Sequence, residues 1–145
     1  MIDQKNNFYN LEDLEIFAKN FIKKLSRGSI VCLKGELGSG KTTFARFIIN
    51  SIYDSKKISR PISIKSPSFP ILLTYDLHGL EIFHYDLYRI KNISELDQLD
   101  ILENIKNSIT LIEWPDLLIK KNFNHDFYLI ELIIHNENQR KINIK

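Results

Sequence analysis

Apolar side chains recur at helical spacing through Leu11, Leu14, Phe17, Ala18, Phe21, Ile22 and Leu25, and Asn10 stands before them as an N-cap. This spacing predicts a helix that stops near Gly28. The run "IVCL" (30–33) is continuously apolar, as a strand buried on both faces would be. Beyond the polar "KGELGSGK", residues 42–53 return to a helical period. Residues 54–70, polar and basic with three prolines, read as a loop. "ILLTYDL" and "LEIFHYDLY" flank His78–Gly79 and predict a hairpin. "SELDQLDILENI" (94–105) opens with Ser-x-x-Asp and predicts another helix. "ITLIE" (109–113) predicts a buried strand ending in an acid, and "FYLIELIIH" and "RKINIK" around "NENQ" predict a closing hairpin. The mixture implies one α/β domain, 1–145: a mixed sheet with a parallel core and antiparallel hairpins, flanked by helices.

One strand departs from the usual pattern. In "FHYDLYRI" (83–90), Phe83, Tyr85 and Leu87 alternate with His84, Asp86 and Tyr88, so one face carries an imidazole, a carboxylate and a phenol. Composition narrows the chemistry such a face can serve. At 145 residues, 43% hydrophobic, the chain is large enough to bury a core. A net charge of +2 is too small to imply nucleic-acid binding by itself. The single cysteine, Cys32, excludes an intramolecular disulfide and a CxxC site, and is expected as a small buried side chain. His78, His125 and His135 have no metal spacing, and the basic run Lys56, Lys57, Arg60, Lys65 reads as a solvated loop or a contact for a nucleic acid or an acidic partner. The N-terminal "MIDQKNNFYN" lacks the apolar region of a secretory signal, and no apolar run approaches a membrane span, so a soluble, cytoplasmic protein is expected.

"GELGSGKT" fits G-x-x-x-x-G-K-[ST] between a predicted strand and a predicted helix, the context a phosphate-binding P-loop requires, so the expected α/β domain is P-loop NTPase-like. Three of the five glycines, Gly35, Gly38 and Gly40, fall in it, and they let backbone N–H groups approach phosphate oxygens. The candidate nucleotide-binding residues are therefore Gly35, Glu36, Leu37, Gly38, Ser39, Gly40, Lys41, Thr42 and Thr43. Lys41 would reach the β- and γ-phosphates, and the Thr42 hydroxyl would ligate magnesium. Such a site also needs carboxylates. Glu113 at the end of "ITLI" and Asp86 on the polar strand face both qualify; the plainer readings are a solvated strand-end acid and a salt bridge from Asp86 to Arg89. The candidate catalytic residues are Lys41, Asp86 and Glu113, and the candidate metal ligands are Thr42, Glu113 and Asp86, with the acid that touches the metal left open.

Taken together, "GELGSGKTTFAR" (35–46), "SPSF" (66–69), "HYDLYR" (84–89) and "IEWP" (112–115) resemble the bacterial TsaE (YjeE) family, from about Leu11 to the C-terminus. Ser68 stands where that family's loop usually has Thr, and the hydroxyl is kept. The resemblance implies ATP binding and slow, partner-dependent hydrolysis, with ATP and magnesium as cofactors, in the threonylcarbamoyladenosine modification of position 37 of ANN-decoding tRNAs. It implies as partner a heterodimer of the threonylcarbamoyl-transferase subunit and its inactive paralogue, with tRNA contact indirect. It also implies that Thr42 and Glu113 are magnesium ligands, Asp86 an essential acid near the γ-phosphate, Trp114 a neighbour of the site and Ser66–Phe69 a nucleotide-sensing loop. Arg140 is a candidate to approach the nucleotide from the last hairpin. A small-molecule kinase and a nucleotide-dependent binding module without turnover are the alternatives; five scattered arginines and no Arg-rich lid weigh against the kinase.

Overall fold

The computed structural model describes residues 8–121 and 123–145, so the polar stretch before Phe8, read above for a signal sequence, lies outside the described residues. The strands are β1 (Phe8–Tyr9), β2 (Ile30–Lys34), β3 (Leu72–Asp76), β4 (Glu81–Asp86), β5 (Ser108–Glu113), β6 (Tyr128–Ile134) and β7 (Arg140–Ile144). The helices are α1 (Leu11–Phe21), α2 (Lys41–Ser55), α3 (Ile93–Asp97), α4 (Ile101–Asn104) and α5 (Asp116–Lys120). One sheet runs in the order β1-β7-β6-β2-β5-β4-β3. β6, β2, β5 and β4 pair in parallel, while β7 and β3 join antiparallel at either side. No helix among the described residues is long and apolar enough to cross a membrane.

Strand alternation sorts the core into two layers. Val31, Leu33, Ile82, Ile109 and Leu111 meet α1 and α2 through Leu14, Ala18, Phe44, Ala45 and Ile48. Ile30, Cys32, Tyr85 and Ile112 meet the short helices on the opposite face through Leu96, Ile101 and Leu118. The predicted hairpin at His78–Gly79 is present, with φ of 54° and 104° at its two central residues and Leu77 N–H donating to Leu80 O at 2.8 Å.

Four elements differ from expectation. α1 ends at Phe21 and passes through a 3₁₀ turn to an extended Leu25, so Gly28 (φ 94°) turns the chain into β2 rather than stopping the helix. The predicted helix 94–105 is broken. Asn92, not Ser94, caps α3 by accepting from Glu95 N–H, and Asp100 is left-handed at φ 51°. The break has a packing reason: Leu96 and Ile101, five apart, would point about 140° away from each other on a continuous helix, yet both enter the same core layer. β1 and α5 are too short for periodicity to reveal.

Candidate functional site

The loop between β2 and α2 lies at the C-terminal end of the parallel strands, where β2 is flanked by β5 on one side and β6 on the other; open α/β sheets bind ligands at such a point. Gly40 caps α2 with φ 104°, a conformation that disfavours any side chain, and no side-chain hydrogen bond occupies the helix N-terminus. Those amides and the helix dipole are thereby directed at whatever sits before the loop. Gly35 is required for a different reason: a Cβ there would fall 2.6 Å from the Leu132 carbonyl oxygen and 2.4 Å from Ser39 Oγ.

Lys41 is almost fully buried. Its ammonium donates to Gly35 O at 2.7 Å and Glu36 O at 2.9 Å, with Ser39 Oγ at 3.4 Å, and it lies 4.1 Å from the Trp114 ring centroid. Burial holds its pKa below the ordinary lysine value, while the negative charges of Glu113 and Asp86 oppose that shift. Arg140 bears on the loop from behind. It donates to Ser39 O (2.9 Å) and Gly38 O (3.1 Å), and also to Asn136 O and Gln139 O within its own hairpin. The residue expected to approach the nucleotide thus grips the carbonyls of the loop and also lines the pocket beside it.

The two candidate acids are brought together by strand register, Asp86 on β4 opposite Glu113 on β5. Glu113 is 1% exposed. Thr42 Oγ1 donates to Glu113 Oε1 at 2.8 Å, and Glu113 Oε2 lies 2.7 Å from His84 Nε2. Asp86 accepts the Tyr88 N–H at 2.9 Å. Its carboxyl is pushed above the ordinary value, first by burial and further by the charge of Glu113, against the Tyr88 N–H, His84 and Lys41. The proposed salt bridge from Arg89 to Asp86 does not form: the Arg89 guanidinium sits 5.0 Å from the Phe69 ring centroid. His84 lies wholly inside and faces no partner surface.

A cleft of about 360 Å³ is lined by Leu37, Gly38, Gly40, Lys41, Thr42, Thr43, Ser66, Ser68, Asp86, Tyr88, Glu113 and Trp114. Of the predicted loop residues, Gly35, Glu36 and Ser39 stand behind it: Gly35 and Glu36 take the Lys41 ammonium on their carbonyls, and Ser39 is fully buried. Ser66 and Ser68 reach the cleft, and the chain just beyond them is tied to the acid strand by Asp86 N–H donating to Ile71 O at 2.9 Å. Two bulky residues flank the acids at left-handed φ, Ile71 (71°) and Trp114 (57°), so backbone strain is concentrated here. Next to the loop, a second pocket of about 290 Å³ is shared by Tyr9, Asn10, Leu11, Thr43, Asn138 and Arg140, among others. A larger cavity, about 510 Å³, opens on the other side of the loop and includes none of Lys41, Thr42, Asp86 or Glu113.

Thr42, Glu113 and Asp86 offer hard oxygen donors at one point beside the helix N-terminus, a donor set that suits magnesium. A family model described as "Threonylcarbamoyl adenosine biosynthesis protein TsaE" matches residues 8–142. The chain belongs to the TsaE family. Among relatives in that family, the tRNA threonylcarbamoyladenosine biosynthesis protein TsaE of Rickettsia typhi is 36% identical over 129 residues, covering 89% of this chain and 85% of the relative. The TsaE protein of Aquifex aeolicus is 29% identical over 133 residues, covering 92% and 89%. The crystal structure of Bacillus subtilis YdiB superposes with a TM-score of 0.65 over 94% of this chain and 80% of that one, at 24% identity; this likeness speaks to the fold alone. The matched residues, 8–142, include the loop between β2 and α2, the Ser66–Phe69 loop, β4 and the end of β5.

Proposed function

We propose that this member of the TsaE family binds ATP with magnesium and hydrolyses it slowly, in support of the threonylcarbamoyladenosine modification of tRNA. In this reading the protein acts on the complex of the threonylcarbamoyl-transferase subunit and its inactive paralogue, and touches tRNA only through that complex. The observation that carries the nucleotide reading is the bond from Thr42 to Glu113 at the mouth of an uncapped helix N-terminus, with Asp86 alongside. A hydroxyl that donates to a carboxylate keeps its lone pairs free for a cation. Thr42, Glu113 and Asp86 would hold magnesium there, and the ion would supply charge neutralisation of the phosphates.

The chain's own groups divide the remaining work. The Lys41 ammonium is anchored on two loop carbonyls and makes a longer third bond to Ser39 Oγ, which fixes it in place and leaves the long third bond as the one a phosphate oxygen would replace. The α2 amides receive phosphate oxygens, and the pocket beside Asn10 and Leu11 takes the nucleoside end. Asp86, whose carboxyl burial pushes above the ordinary value, is the candidate to orient or accept a proton from the attacking water. Against the kinase alternative stand the arginines, each engaged within the chain: Arg27 on Asn107 O and Gly79 O, Arg46 on Ile64 O, Arg60 on Asp54, Arg89 over Phe69 and Arg140 on the loop.

The test is complementation of a strain depleted of its own family member. Asp86→Ala or Glu113→Ala is expected to abolish modified adenosine while the variant still co-purifies with the transferase complex. Full modification by both variants would defeat the catalytic reading. Stimulation of ATP consumption by a small acceptor, and not by the protein partners, would favour the kinase.

A further inference from the structure

We propose that His84 is a positioning residue of this site: by donating from Nε2 to one oxygen of Glu113, it leaves the other oxygen to orient the Thr42 hydroxyl. The proposal rests on the nucleotide reading above. His84 stands on the same face of β4 as Asp86 but two residues deeper, is 0% exposed and is not among the residues lining the cleft. His84 thus does not line the ligand cleft itself, and its one side-chain hydrogen bond among the described residues is to Glu113, 2.7 Å away.

The ring's hydrogen bonding fixes its proton. Nδ1 is buried with no hydrogen-bond partner among the described residues. A proton on Nδ1 would bury an unmatched donor and turn the Nε2 lone pair against a carboxylate oxygen. With the proton on Nε2, that short contact becomes a charge-assisted hydrogen bond and only an acceptor nitrogen is left unpaired. Glu113 is then held at both oxygens, by His84 and by Thr42. Without His84 the carboxylate would be free to turn about its last torsion, and the Thr42 hydroxyl would lose its fixed acceptor. Groups that orient metal ligands in this way typically contribute about 10–100-fold to metal affinity.

The experiment measures ADP affinity by calorimetry, in saturating magnesium and in EDTA, for the unaltered chain, H84N and H84Q. Both amides are polar, but only Gln reaches the place of Nε2. The ratio of the two affinities is expected to fall about tenfold in H84N with the EDTA value unchanged, and to recover in H84Q. Equal ratios in all three proteins, or an equal loss in both variants, would overturn the proposal. A second measurement requires no variant to fold: the long-range ¹H–¹⁵N spectrum of the His84 ring should report a proton on Nε2, and a proton on Nδ1 would overturn the proposal as well. If the unaltered chain does not bind ADP, or binds it without regard to magnesium, the nucleotide reading itself fails, an outcome separate from either result above.

Discussion

Arg140 offers the most direct test of how the phosphate loop is held. Its guanidinium links the last hairpin to Gly38 O and Ser39 O. Arg140→Ala removes both bonds, but their costs differ. Gly38 is exposed, so water replaces the lost donor on its carbonyl at little cost, whereas Ser39 is fully buried and its carbonyl is poorly placed to find one. An unsatisfied buried acceptor costs about 1–3 kcal/mol, so we take about 2 kcal/mol as the strain released if the loop turns Ser39 outward. That turn spoils the alignment of the loop amides, and the same energy then appears as an ADP affinity weaker by roughly 30-fold. Arg140→Lys keeps the charge but cannot fork across two carbonyls, so it should restore less than half of the lost binding energy. Calorimetric titration with ADP reads the affinity, and amide hydrogen exchange at residues 38–42 reads the loop. An affinity within about twofold of the unaltered chain, with a lowered thermal midpoint, would mean that Arg140 only braces its hairpin.

Three further perturbations probe the same architecture. Gly35→Ala drives a methyl against the Leu132 carbonyl; a loss of about 1–3 kcal/mol in denaturant unfolding and loss of ADP binding are expected, and unchanged binding would contradict the close approach. Asp86 is raised above its ordinary value of 3.8 mainly by burial, so the folded state binds this proton more tightly and stability falls as pH rises through the interval between the ordinary and the raised value. Asp86→Asn should therefore be more stable than the unaltered chain at neutral pH, with the gap narrowing below that interval; urea unfolding at several pH values checks it, and a gap that widens in acid would refute it. Burial pushes the Cys32 thiol up to about 12, so it should resist an aromatic disulfide reagent at pH 8 until the protein is unfolded in guanidinium. Rapid labelling of the folded chain would place Cys32 elsewhere than the sheet interior.

Much of the site was legible because it is written in local spacing. The P-loop needs glycines, a lysine and a hydroxyl within a few residues, between an apolar strand and a helix, and all of these can be read from "GELGSGKT". The polar face of β4 was legible for the same reason: a period of two puts His84 and Asp86 opposite Phe83 and Tyr85 whatever the strand's neighbours are. The broken helix beyond β4 was not, because its interruption answers to the core layer it covers and not to its own periodicity.

What only tertiary structure decided are the partners. Thr42 meets Glu113 across 71 residues, His84 meets Glu113 across 29, and Arg140 meets Ser39 across 101. The Thr42 and His84 contacts depend on the strand order β2-β5-β4 and on a register that sets Asp86 beside Glu113, and the Arg140 contact on β7 pairing with β6 next to β2. A one-residue slip of β4 against β5 would turn His84 and Asp86 to the opposite face and leave Glu113 with Thr42 alone. By itself the sequence determined which groups each segment presents; the sheet decided which of them meet. Local geometry sets the direction of a side chain, whereas its partner is set by burial of apolar faces summed over the whole chain.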